Sequence, residues 1–170
     1  MNKSNQIHEM FRKTPRGERY KLLWRMTKRY YDAFKSINEG SPEFPFLSKF
    51  DIVQSFFIFC YHLKDWLNND LNIKVEDIRE LFSSNPELRY CADLCDGFKH
   101  LRRTKKLHSK SQPDYEKKVF EFREEIRIPG CKFIISTDQG DMDAFILASK
   151  CMDIWYEFIV KYDPTISKEL

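Results

Sequence analysis

At 170 residues the chain has the length of one ordinary domain, and 42% hydrophobic with 15% aromatic residues excludes an intrinsically disordered polypeptide. A formal net charge of +3, from 29 basic and 26 acidic side chains, is too small to identify a nucleic-acid binder by itself. Its distribution carries more information than its sum.

The opening segment, MNKSNQIHEMFRK, lacks the apolar stretch of a secretory signal. Residues 1–13 are read as an N-terminal tail open to disorder and 14–170 as a single helical domain. Thr14 and Pro15 suit a helix start, and Tyr20, Leu23, Trp24, Thr27, Tyr30, Tyr31, Phe34 and Ile37 then recur at helical spacing up to Asn38–Gly40. From Arg12 to Lys35 nine basic residues face two acids, so this helix has a cationic outer side.

After SPEFPF, a second helix is expected from Ser48 to Asn69, with Ile52, Phe56, Phe59, Cys60, Leu63, Trp66 and Leu67 inward. Its wide apolar arc predicts the central helix of the domain. His62 falls at the border of that arc and reads as a structural histidine. A short helix, Val75 to Ser83, should bury Val75, Ile78, Leu81 and Phe82, and Asn85 before Pro86 predicts a capped start to the next.

That fourth helix, Pro86 to Arg103, separates its residues into two sides. Leu88, Cys91, Leu94, Cys95, Phe98 and Leu101 share one, and Arg89, Asp93, Asp96, His100 and Arg103 align along the other. Such a stripe is ordinarily a solvated face held by pairs such as Arg89 with Asp93 and Asp96 with His100. From Lys99 to Lys110 there are six basic residues and no acids, which suits either the helix dipole or a phosphate-bearing partner.

Between Lys117 and Ile128 the period changes to two, which predicts a strand. Pro129 and Gly130 suit the centre of a type II turn, and Lys132–Ser136 returns as the second arm of a hairpin. A last helix from Met142 to Tyr162 completes a mainly α, four- to five-helix bundle with a small β-hairpin inserted before the C-terminal helix.

Five cysteines, an odd number, read as free thiols in a reducing, cytoplasmic setting, since those in the predicted helices fall on or beside apolar faces. Cys91 and Cys95 lie one helical turn apart and suggest a metal shared with His62. No further spaced ligand completes a zinc set, so neither metal nor cofactor is expected. The most apolar run, Phe50 to Leu63, is too short and too polar to span a membrane.

The sharpest chemistry in the stripe centres on His100, which titrates near neutrality, with Asp96 one turn earlier to orient it. Arg103 and Lys99 would hold a phosphate beside it. Those groups suffice for metal-independent RNA cleavage, in which the deprotonated 2′-hydroxyl attacks phosphorus. Gly-rich phosphate loops, GxSxG and HExxH are absent from the sequence.

YHLKDWL at Tyr61–Leu67, CADLCDGFKHLRR at Cys91–Arg103 and KFIISTDQGDMDAFILASKCMDIWYEFI into the last helix resemble small bacterial and phage-type proteins with a HEPN-like bundle. The resemblance covers Phe50 to Tyr162 and leaves the first helix outside. It implies a homodimer in a toxin–antitoxin or phage-defence setting, and a ribonuclease signature of arginine, four to six residues, then histidine. Asp96 and His100 match the polar and histidine positions, but Cys95 stands where the arginine belongs.

A cysteine offers a transition-state phosphate no fixed cation. Arg103 is one substitute, and a shifted frame of Arg103 and His108 is another. The expectation that follows is a non-catalytic module binding RNA, nucleotide or a protein partner, with Arg89, Lys99, Arg102, Lys105 and Lys106 as the RNA-binding set. The alternative is an endoribonuclease using His100, Asp96 and Arg103.

Overall fold

A computed structural model describes residues 13–40, 46–99, 120–123, 130–137 and 140–166. Five helices and three strands occur among them: α1 Arg19–Asn38, α2 Phe46–Leu71, α3 Val75–Ser84, α4 Pro86–Lys99, β1 Phe120–Arg123, β2 Gly130–Thr137, β3 Gly140–Asp143 and α5 Ala144–Val160. The mainly α bundle with a hairpin before its last helix is therefore the observed architecture.

The first helix turns regular at Arg19, later than the Thr14–Pro15 start the sequence suggests. Glu18 N–H bonds Pro15 O at 3.2 Å in a turn, and Gly17 sits at φ +91°, a left-handed conformation that favours glycine. Glu18, at the N-cap position, makes no side-chain cap bond. Asp70 supplies the cap from α2: its Oδ1 accepts Gly17 N–H at 2.7 Å and its Oδ2 accepts Tyr20 N–H at 2.9 Å.

Helix α2 is the central element, as its broad apolar arc predicts, and packs on α1, α3, α4 and α5. It buries Val53, Phe56, Phe57, Cys60, Leu63 and Leu67. Asn72, at φ +54°, ends it in the left-handed manner usual after a helix. Around Phe34 of α1 the core is aromatic, with near-perpendicular contacts to Phe133 at 5.9 Å and Phe145 at 5.4 Å between ring centroids.

In α3 only Ile78 is deeply buried; Leu81 and Phe82 pack against the core from its edge, and Val75, expected inward, is exposed. Asn85 closes α3, its Nδ2 donating to Leu81 O at 2.7 Å. That use of the side chain looks backward along the chain, where the sequence pointed to a cap for the following helix.

The hairpin is present, but Gly130, expected at the centre of its turn, is paired within it. Arg123 pairs with Gly130 and Phe120 with Phe133, so Gly130 belongs to the strand, while Pro129 lies outside the described residues. A third strand follows: Ile134 pairs with Asp143 and Thr137 with Gly140. The sheet has the order β1-β2-β3, and β2 places the buried Phe133 and Ile135 against α1 and α5. Met142 thus lies in β3, and α5 begins at Ala144 behind an Asp143 cap, with bonds from Phe145 N–H and Ile146 N–H at 2.8 and 3.2 Å.

Candidate functional site

Among the described residues of the polar stripe, Arg89, Asp93 and Asp96, none is fully exposed. Asp93 is 1% exposed, and Asp96 is half-buried. Arg89, expected to meet RNA, turns back to α3: its Nη1 donates to Ser83 O at 2.5 Å and Phe82 O at 3.3 Å. It satisfies carbonyls at the end of a short helix, which is a structural task. Lys99 is the last described residue of α4, while His100, Arg102, Arg103, Lys105, Lys106 and His108 lie outside the described residues.

Cys95, at the position where the resemblance asks for an arginine, is 0% exposed. Its side chain belongs to the core of the bundle. The four helical cysteines, Cys60, Cys91, Cys95 and Cys151, are free and buried. Their grouping differs from the expected one, because Cys91 meets Cys60 and Cys151, with sulfurs within 4.8 Å of one another, and neither Cys95 nor His62 joins them.

The open chemistry lies one helix away. Tyr61, Lys64, Asp65 and Asn68 of α2 and Val75, Ile78, Arg79 and Phe82 of α3 line a groove of about 330 Å³. Helical spacing explains the convergence: Tyr61, Lys64, Asp65 and Asn68 are three and four residues apart and share one side of α2. Lys64 Nζ lies 4.4 Å from the centre of the Tyr61 ring and 2.8 Å from Asp65 Oδ1. Tyr61 meets Phe82 edge-on with 6.0 Å between centroids, giving the groove an aromatic wall. Arg79 is largely exposed at the rim, in loose contact with Glu76 at 3.9 Å.

His62 stands beside this groove with Nδ1 3.0 Å from Asp65 Oδ2. Burial raises the Asp65 carboxyl, but bonds from Lys64 and His62 outweigh it and hold the group below its ordinary range. Tyr61 is pushed up to about 12, first by burial and then by the nearby charge of Asp96, with smaller effects from Cys95, Asp65 and Cys91. The charge of Asp96 on α4 thus acts on Tyr61 of α2, at the wall of the groove.

The sequence reading left this face aside because each residue was ordinary alone. Its signal was the His62–Asp65 spacing with Lys64 and Tyr61 between aromatic flanks. Chemically, a wall of rings with cations at its edge accepts a planar base with its phosphate. Comparison with family models, curated proteins and solved structures finds no match. No helix among the described residues is long and apolar enough to cross a membrane.

Proposed function

We propose that this chain is a non-catalytic, HEPN-like interaction module that binds RNA or a nucleotide along the α2–α3 groove and the basic segment following α4. The observation that carries the reading is the groove itself, with Tyr61 and Phe82 as stacking surfaces and Lys64 and Arg79 as phosphate partners. Lys99, Arg102, Arg103, Lys105 and Lys106 extend that positive surface in sequence. The absence of catalysis is argued from Cys95, whose buried thiol supplies no guanidinium to a phosphate.

A cytoplasmic setting belongs to the same proposal, because four buried free thiols suit a reducing compartment. A homodimer and a toxin–antitoxin or phage-defence role are further parts of it, and they rest on the family resemblance.

The test is fluorescence anisotropy with a labelled single-stranded RNA and, separately, with mononucleotides, in which a preference for one identifies the ligand size. Lys64→Ala with Arg79→Ala should weaken binding about tenfold and flatten its salt dependence by about two charges. Equal affinity of wild type and double variant removes the groove from the proposal. Incubation of RNA with chelator present decides the endoribonuclease alternative: cleavage by wild type that His100→Ala abolishes would replace the non-catalytic reading.

A further inference from the structure

Three cysteines from three helices meet inside the bundle. Cys60 comes from α2, Cys91 from α4 and Cys151 from α5, and all three sulfurs lie within 4.8 Å of one another. None is in a disulfide, and all are buried. Sequence separations of 31 and 60 residues make this a product of the tertiary fold rather than of a local motif.

The protons of two of these thiols point to backbone. Cys91 Sγ donates to Phe57 O and Cys151 Sγ to Glu87 O, each at 3.6 Å. Both acceptors are helix carbonyls with a backbone ladder of their own, so losing a weak S–H donor leaves them satisfied.

Trp155 is the unusual member of the surroundings. It follows Cys151 by one turn of α5, is wholly buried, and its Nε1–H has no acceptor in hydrogen-bond geometry. A buried N–H without a partner is rare and points to a missing acceptor. Cys60 is the thiol beside it, outside hydrogen-bond geometry.

We propose that Cys60, Cys91 and Cys151 form a three-sulfur site for a soft, thiophilic metal ion, with Cu(I) as the matching ion. Thiolate ligands select Cu(I) or Zn(II) among common biological ions. A structural zinc site takes four ligands. Among the described residues this group has three ligands, and the remaining polar group at the cluster, the Trp155 N–H, is a donor that cannot ligate. Three soft ligands in a dry site suit a three-coordinate monovalent ion. Each thiol entering the coordination shell gives its proton to solvent, and no electron is transferred. The Trp155 N–H then has a negatively charged sulfur to donate to. This site is separate from the groove and does not depend on the RNA reading.

The experiment uses the reduced full chain without oxygen, titrated with Cu(I) against a chromophoric Cu(I) chelator. One ion per chain is expected, with a raised melting temperature because the ion binds only the folded state. X-ray absorption on the loaded wild type should report three sulfurs and no nitrogen or oxygen in the first shell. Cys60→Ser and Cys151→Ser should each lose tight binding, whereas Cys95→Ser retains it. The wild-type spectrum needs no variant to fold, so it decides the matter alone if a buried serine unfolds the protein. A shell containing nitrogen or oxygen, a shell of fewer than three sulfurs, or full retention by folded Cys60→Ser overturns the proposal. So does a parallel titration in which Zn(II) binds more tightly than Cu(I) with four ligands.

Discussion

Asp70, near the end of α2, accepts the backbone N–H of Tyr20 at the start of α1, 2.9 Å away and 50 residues earlier in the chain. With the Gly17 N–H bound to its other oxygen, this one carboxylate caps a helix to which it does not belong. Asp70→Ala should cost about 2 kcal/mol, since two backbone donors lose their acceptor in a site with little water. Asp70→Asn, which retains one acceptor oxygen, should cost less. Urea unfolding curves measure both, and a loss below about 0.5 kcal/mol for the alanine variant would show that the cap is not a determinant of stability.

A second carboxylate ties α1 to the segment that follows α5. Asp163 Oδ2 accepts the Tyr20 hydroxyl at 2.5 Å and pairs with Lys21 Nζ at 3.0 Å, while Thr165 donates to Oδ1 through both its hydroxyl and backbone N–H. Bonds from the Thr165 hydroxyl and Tyr20, and then Lys21, hold Asp163 well below the usual carboxylate range. A depressed folded-state pKa means the stabilisation is present above the unfolded value near 4 and lost as pH falls through the folded one. Asp163→Asn should therefore lower stability at pH 7 and flatten the acid limb of a stability–pH profile. Parallel wild-type and variant profiles below pH 4 would contradict this.

Phe34 is the centre of the aromatic core, with Phe57 edge-on at 6.4 Å in addition to Phe133 and Phe145. Phe34→Ala should cost about 3–5 kcal/mol by removing buried surface and leaving a cavity. Phe34→Leu, which refills part of it, should cost less. Chemical denaturation with an unchanged slope is the measurement, since a changed slope would mean that the unfolded or native state itself had altered.

Arg89 separates a structural role from a binding one. Arg89→Ala should cost about 1–2 kcal/mol through the carbonyls of Phe82 and Ser83, with RNA affinity unchanged. A stable variant that has lost RNA affinity would return Arg89 to the binding set.

Tyr61 should ionise near pH 12, later than an ordinary tyrosine. A group whose folded-state pKa is raised contributes stability below its unfolded value near 10, and that contribution is lost as pH climbs toward 12. The difference between wild-type and Tyr61→Phe absorbance titrations isolates it. Asp96→Asn should lower the Tyr61 value by removing the nearby charge, and an unmoved titration would separate the two residues.

Periodicity made the helices legible because each has one dominant apolar side: Tyr20, Leu23, Trp24 and Phe34 in α1, and Ala148, Cys151, Trp155 and Phe158 in α5, are buried as their spacing predicts. The start of α1 was not legible, because its cap, Asp70, arrives from another helix. Nor was β3, a strand of four residues in which the sequence showed only the approach to a last helix starting at Met142. Asp96 was singled out as the partner of His100, yet the described side chain its charge acts on, Tyr61, lies on α2. A linear stripe records what one helix carries and not what another lays across it, which is also why three cysteines so far apart in sequence gave no metal-like spacing.

Asp143 joins three features in one residue. It is the last paired position of β3, opposite Ile134; it caps α5 through Phe145 N–H; and its carboxylate lies 3.7 Å from Lys132 Nζ of β2. No loop separates sheet from helix at that joint. A force that tilts the sheet must therefore either detach the cap or turn α5 with it, and α5 carries both Cys151 and Trp155. The sheet is coupled to the thiol cluster as a lever is to its shaft.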